Sequence, residues 1–291
     1  MRRQAFEVSA IESDFSHADR GYNPCFHVRR ECVESPYPRH LDVCVIMSGH
    51  QLLRDSSRYL VRVLRSRYRD HKIELRELRR HIRPGDTVCD IGANKGSFTY
   101  WFSRWSSPGR TVAFEPQPDL ADGLSRLCAM FALDNVVVER TAVYSSSGTH
   151  KFFIPAGHQP AASLIKQMEK SSEIEVSTIS LDDYFSGEEH VSAIKIDVEG
   201  AELEVLRGAK ETLIRCMPLI ICECDRHLVS LERMKETFSF LSDLGYSGAF
   251  VAGSKLLPLS SFDPNIHQKT DGEWFWKRKE YYNNFIFQRP A

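Results

Sequence analysis

Residues 86–97 read DTVCDIGANKGS. Thr87 to Ile91 is a short apolar run of strand length, Gly92 and Gly96 bracket a turn, and from Ser97 to Trp105 the spacing becomes helical. A strand that turns through glycine into a helix is the opening unit of an open α/β sheet, whose ligands sit beyond the carboxyl ends of the strands. Gly92 permits the turn, and the small residues beside it let the backbone come close to a bound molecule.

The alternation continues outward. Thr111–Phe114 is a second strand, Leu120–Leu133 a helix, and Val136–Val138 a third strand. Ile194–Asp197 is a fourth strand, followed by a helix from Ala201 to Cys216. Leu219–Cys222 is a fifth, followed by a helix over Ser230–Leu244, and Gly248–Val251 and Asn284–Phe287 close the series. This order predicts a parallel sheet with helices on both faces. Residues 145–180 interrupt it. Phe152–Ile154 and Ile174–Ile179 read as extra strands. The segment between them, with Pro155, Gly157, His158 and Pro160, reads equally as a lid or as a long surface loop. Upstream, Leu52, Leu53, Tyr59, Leu60, Val63 and Leu64 recur at helical spacing. Leu75, Leu78 and Ile82 resume it after a break at Asp70-His71, and Pro84-Gly85 ends it. Residues 1–83 are thus an N-terminal arm with a basic helical extension, and 84–291 an α/β domain.

The turn departs from the dinucleotide spacing G-x-G-x-x-G, because Asn94 stands at the second glycine position. Asp90 closes the strand before it and would repel a pyrophosphate held at the helix start. A cationic ligand suits that acid better, and S-adenosylmethionine carries both a sulfonium and an ammonium. An NAD-dependent oxidoreductase is therefore the weaker reading. Glu115, at the end of the second strand, is placed to accept two ribose hydroxyls.

Two other strands end in acids. In IKIDVEGAE, residues 194–202, Lys195 and Asp197 share one side of the fourth strand, with Asp197 at its carboxyl end. Glu202 fits a helix N-terminal carboxylate, whereas Asp197 and Glu199 fit the site. In LIICECD, residues 219–225, Glu223 ends the neighbouring strand as a partner for Lys195 or a site carboxylate. Cys222 and Cys224 read as packing residues. His227 reads as a surface residue ahead of a base or a ligand.

Five motifs in order, DIGANKGSFT, VAFEPQP, ISLDDY, IKIDVEGAELEVLRGA and NNFIF, resemble the FkbM-type S-adenosylmethionine-dependent methyltransferases over residues 84–288. Lys95 stands where such proteins usually carry an apolar residue. The resemblance implies a Rossmann-like class I methyltransferase fold. Its seven-stranded, mostly parallel sheet would have an antiparallel last strand and helices on both faces, with the N-terminal helices as an extension. It implies methyl transfer from S-adenosylmethionine to a hydroxyl of a small molecule or saccharide. It assigns cofactor contacts to Asp90, Gly92, Ala93, Asn94, Gly96 and Ser97 in the turn, to Glu115 and Pro116, and to Ala142, with Asp197 near the methyl donor. A hydroxyl acceptor must lose its proton as it attacks, so Asp197, Glu199 and Glu223 are the catalytic candidates. A divalent metal bridging these carboxylates fits hard-cation chemistry, but nothing in the sequence requires one. Two alternatives remain: an RNA or protein methyltransferase guided by the basic helices, and a catalytically silent binding module.

Composition sets the outer bounds. The 291 residues are 42% apolar and 26% charged, which excludes collagen-like, low-complexity and wholly disordered chains. With 38 basic and 39 acidic residues the net charge is −1, which argues against nucleic acid as a partner. No apolar run approaches the roughly 20 residues of a membrane span, and MRRQAFEVSAIESDF lacks the apolar core of a signal peptide. The expectation is a cytoplasmic protein with no membrane partner. The eight cysteines form no CxxC pair, so reduced thiols are expected. Cys25, His27, Cys32, His40 and Cys44 match no common zinc spacing. Residues 1–83 carry 17 basic and 11 acidic residues, and 84–291 carry 21 and 28. The richest stretch, Arg54 to Arg83, has 11 basic and 4 acidic residues. It reads as a solvated helix face ahead of a binding one.

Overall fold

The computed structural model describes residues 49–155, 162–165, 171–187, 189–272, 274–275 and 278–290. All described residues belong to one compact unit, Met47–Ala291. The cluster Cys25, His27, Cys32, His40 and Cys44, the short apolar run Val43–Met47 and the middle of the candidate lid (156–161 and 166–170) lie outside the described residues.

Helix α1 (Gly49–Arg65) passes through a π-helical turn, Ser66–Asp70, into α2 (Lys72–His81). Then come β1 (Thr87–Ile91), α3 (Ser97–Ser106), β2 (Arg110–Phe114), α4 (Pro118–Met130) and β3 (Val136–Glu139). The interruption is a separate three-stranded sheet of β4 (Ala142–Val143), β5 (Gly148–Pro155) and β6 (Ser171–Ile179), in the order β4-β6-β5. Helix α5 (Leu181–Tyr184) leads back to β7 (Val191–Ile196), α6 (Glu202–Arg207), α7 (Lys210–Cys216) and β8 (Leu219–Glu223). The chain ends with α8 (Leu231–Asp243), β9 (Ser247–Ala252), β10 (Lys255–Pro258), α9 (Pro264–His267) and β11 (Asn284–Gln288).

The main sheet has the order β10-β9-β11-β8-β7-β1-β2-β3. Strands β1, β2, β3, β7 and β8 pair in parallel, and β11 slots antiparallel between β8 and β9, as the resemblance implies. An eighth strand adds to the implied seven, because Lys255–Pro258 folds back on β9 as a hairpin. The chain order reverses at β1, which has β2 on one side and β7 on the other. A crevice opens at the carboxyl ends of strands at such a switch point.

Strand alternation divides the core in two. Ile194, Ile196, Ile220, Cys222, Phe285 and Phe287 pack with Val205, Leu206, Leu213, Met234 and Leu241 of α6, α7 and α8. The alternate positions Val88, Ala193, Leu219, Ile221 and Ile286 pack with Phe98 and Phe102 of α3, and with Leu75 and Leu78 of α2 and the adjoining Ile82. The basic helices are therefore part of the same compact unit as the sheet: their apolar stripe closes one face of it. The five described cysteines are all free and buried, as packing residues are.

The helix expected from Ala201 to Cys216 is instead two. Gly208 breaks it, where a Cβ atom would lie 2.1 Å from the Tyr144 carbonyl oxygen. That close approach is set by a segment some sixty residues away in the chain, which local periodicity does not report. Leu78 is fully buried beneath the sheet. Leu78→Ala is expected to cost about 2–5 kcal/mol, read as a lower urea midpoint at unchanged slope.

Candidate functional site

The turn after β1 is fixed from two sides. The backbone N–H groups of Gly92 and Ala93 both donate to the Phe114 carbonyl at the end of β2, each at 3.0 Å. The Asp197 N–H donates to the Ile91 carbonyl at 3.0 Å, tying the exit of β7 to the exit of β1. Gly92 has φ +77, and a Cβ there would lie 1.9 Å from the Asp197 carbonyl oxygen. Only glycine fits this crossing.

Around it lies a cavity that opens to solvent, in the concave setting where small molecules bind. Of the candidate site residues, Gly92, Asn94, Glu115, Pro116, Ala142, Asp197 and Glu199 line it. Asp90, Ala93, Gly96 and Ser97 are absent from its lining, and so is Glu223. Asp90 is buried beneath the turn, where Thr99 Oγ1 donates to its Oδ2 at 2.5 Å. The Gly96 carbonyl accepts a hydrogen bond from the buried Tyr59 hydroxyl of α1 at 3.2 Å.

Glu115 has one carboxylate oxygen on each side of the turn. Asn94 N–H donates to Oε2 at 2.8 Å and Gln117 N–H to Oε1 at 2.9 Å. Burial pushes this carboxyl up to about 7, against the pull of those two donors.

A buried ionic row underlies the cavity. Asp90 and Lys195 are register partners on adjacent strands, and Lys195 pairs onward with Ile221 of β8, two residues before Glu223. Alternation puts Asp90, Lys195 and Glu223 on one face of the sheet. Lys195 is 1% exposed, with its Nζ 3.2 Å from Asp197 Oδ2 and 5.3 Å from the centre of the Phe98 ring. Burial alone would depress its ammonium, but Asp197, Glu223 and Asp90 outweigh that and the net shift is upward. Strand β7 ends at Ile196, so Asp197 is the first residue beyond it and not its last. Burial raises Asp90 to about 6 and Glu223 well above the usual carboxylate range, the latter reinforced by the Asp197 charge. Glu199 is also pushed up, by burial and then by Asp197. It adopts a left-handed backbone, φ 53, directly before Gly200. Glu202 accepts the Gly200 N–H at 2.8 Å, the structural role its sequence position suggested.

The candidate lid contributes to the cavity. Ser163 exchanges backbone hydrogen bonds with Phe153 of β5, and its hydroxyl donates to the Val198 carbonyl at 3.2 Å. Ala162, Leu164 and Phe152 thereby become lining residues that sequence reasoning did not assign. It also gave no role to Asp225, Tyr281 and Asn283. Asn283 Nδ2 donates to Glu223 Oε1 at 2.7 Å and to Asp225 Oδ2 at 3.4 Å, and Asp225 also accepts from the Tyr281 hydroxyl and, at 2.7 Å, from the His227 N–H. The signals were present, as an acid two residues past Glu223 and an asparagine just before the last strand. The His227 ring packs edge-on to Phe275. Among the described residues no group of three or more His, Cys, Asp or Glu is arranged to hold a metal ion.

The family model "Methyltransferase FkbM domain" matches residues 90–247, more than half of the chain. The 31-O-demethyl-FK506 methyltransferase FkbM of Streptomyces tacrolimicus is 30% identical over 162 residues, 45% of this chain and 62% of that protein. The hexuronic acid methyltransferase AglP of Haloferax volcanii is 31% identical over 144 residues, 48% and 56% respectively. The chain thus spans about 60% of the length of the curated relatives it matches. The crystal structure of a methyltransferase FkbM from Methylobacillus flagellatus KT aligns with TM-score 0.46 and 13% identity, covering 82% of this chain and 60% of that one.

Glu202 offers a direct check of the buried acids. Burial raises its carboxyl from the ordinary 4.5 to about 7. A raised carboxyl stabilises the fold fully below the unfolded value, and that contribution is lost as pH rises through about 7. Glu202→Gln keeps an acceptor for Gly200. It is expected to raise unfolding stability by roughly 3 kcal/mol at about pH 8 and to change it little below about pH 4.5, measured by urea denaturation at both.

Proposed function

The chain belongs to the FkbM methyltransferase family, and from that premise we propose that it is an S-adenosylmethionine-dependent O-methyltransferase acting on a hydroxyl of a small molecule or saccharide. Its α/β architecture is the Rossmann-like class I methyltransferase fold. The observation that carries the proposal is the cavity at the switch point, which has a fixed carboxylate on one side and further acids on the other. The donor set suits this cofactor. Ile91, Phe114, Val143 and Leu164 supply apolar wall for a flat base, and Glu115 supplies acceptors for a diol. Asp197 and Glu199 supply negative charge for an ammonium and a sulfonium.

When bound, the cofactor supplies an electrophilic methyl group on sulfur. The protein's task is then to hold an acceptor oxygen about 3 Å from it, in line, and to take the acceptor's proton. Asp197 faces the cavity with Lys195 Nζ 3.2 Å from its Oδ2. Glu199 also faces the cavity, and Glu223 stands behind it, held by Asn283. These three acids are the candidate proton acceptors. The acceptor class is supported by relatives whose names specify 31-O-demethyl-FK506 and a hexuronic acid.

Isothermal titration with S-adenosylhomocysteine tests the cofactor half. Binding is expected well below about 1 mM, a threshold corresponding to about −4 kcal/mol. An ionised Glu115 accepts from a diol, whereas a protonated one must donate. Affinity should therefore fall roughly tenfold per pH unit below about 7. Glu115→Gln should weaken binding by about tenfold or more and flatten that slope. Folded protein that takes up no ligand at about 1 mM would falsify the proposal.

A further inference from the structure

The outer face of α1 plays no part in the cavity. Tyr59 and Val63 point into the core, but Leu60, Val61, Leu64 and Tyr68 are 36, 64, 48 and 67% exposed. They are four of the eight large apolar side chains left exposed among the described residues. All fall within nine residues, a strip about 12 Å long at helical rise. Residues 56–72 carry six Lys or Arg against one acid, Asp70. Arg67 is stacked on Trp101 and Trp105, and Arg62 donates to the Lys95 carbonyl. Arg58, Arg65 and Arg69 border the apolar strip with exposed guanidinium groups, the last two in surface pairs with Asp70 that hold little energy.

We infer that this face binds an anionic lipid surface, with α1 lying in the interfacial plane. An exposed aliphatic strip flanked by arginines supplies both terms of such binding, apolar burial and attraction to negatively charged headgroups. A second copy of the chain fits poorly, because a face-to-face contact would set these arginines against their own counterparts. A nucleic acid would use the cations and leave Val61 and Leu64 without a role. The sequence expectation of no membrane partner rested on the lack of a span. No described helix is long and apolar enough to cross a membrane, but one that lies on a bilayer has no need to be. The inference is independent of the methyltransferase reading.

The test is sedimentation of the full chain with vesicles of phosphatidylcholine alone, or with about 30% phosphatidylserine added. Binding to the anionic vesicles is expected to be at least about tenfold tighter, and to weaken in high salt. The double variant Val61→Glu with Leu64→Glu, and separately the triple variant Arg58→Glu, Arg65→Glu and Arg69→Glu, should each lower it about tenfold or more. All five positions are exposed, and thermal melts check that the variants fold. Tyr68→Ser reads the same face if the double variant does not. The inference is overturned if the wild type ignores phosphatidylserine. It also fails if the apolar variants bind as well as the wild type, which would assign the arginines to a polyanion such as RNA. Light scattering that shows a dimer dissolved by Val61→Glu with Leu64→Glu would assign the face to a second copy instead.

Discussion

One buried ammonium partly offsets the carboxylate charge at the centre of this sheet. Lys195 lies on β7 with Asp90 opposite it on β1, Asp197 beyond its own strand end and Glu223 at the end of β8. Removing a charged group from water is costly, and an attraction at short range offsets that cost only where the partners are well placed. Here one cation serves several carboxyls, so the offset is incomplete. Burial consequently lifts Asp90, Glu115, Glu202, Glu199 and Glu223 above the usual carboxylate range. Such a cluster tolerates protons or a second cation. That is the electrostatic setting in which a positively charged methyl donor gains most from the protein around it.

Backbone geometry turns that charge cluster into a site. The exits of β1 and β7 are bonded through Asp197 N–H and Ile91 O, and they approach so closely that residue 92 has no room for a side chain. The same crossing brings Glu115 from the exit of β2, and Asp197 and Glu199 from the exit of β7, to one cavity. Glu199 pays with a left-handed backbone, a strained conformation of the kind that persists where surrounding structure enforces it. Glu202, buried and bonded to the Gly200 N–H, is part of that enforcement. Moving either strand end would separate the acids from one another, so the position of the cavity and its charge are one property of the fold.

Much of this was legible in the sequence, where the determinants are local. The strand, the Gly92 turn and the helix from Ser97 lie within twenty residues, and periodicity with turn chemistry suffices to read them. The acids Glu115, Asp197 and Glu199 were legible as cavity candidates because each follows closely on a strand end. What escaped depends on register or on distant segments. The pairing of Asp90 with Lys195 needs the alignment of β1 with β7, which no single segment encodes. The break at Gly208 needs the Tyr144 carbonyl, and the roles of Asp225 and Asn283 need β11 beside β8. The basic helices read as an extension because arginines dominate their composition. Their buried minority, Leu75, Leu78 and the adjoining Ile82, places them in the core.

The near-zero net charge therefore hides an ordered arrangement. Acids converge at the carboxyl ends of β1, β2, β7 and β8, while the excess of arginine is carried on helices whose inner stripe packs under the opposite helical layer of the core. Salt screening over about 10 Å keeps exposed charges from acting on one another across much of a domain. The arginines on the outer face of α1 therefore do little to neutralise the buried acids, beside which Lys195 is buried. A neutral sum can thus coexist with an acidic cavity and a basic face, each acting on its own surroundings.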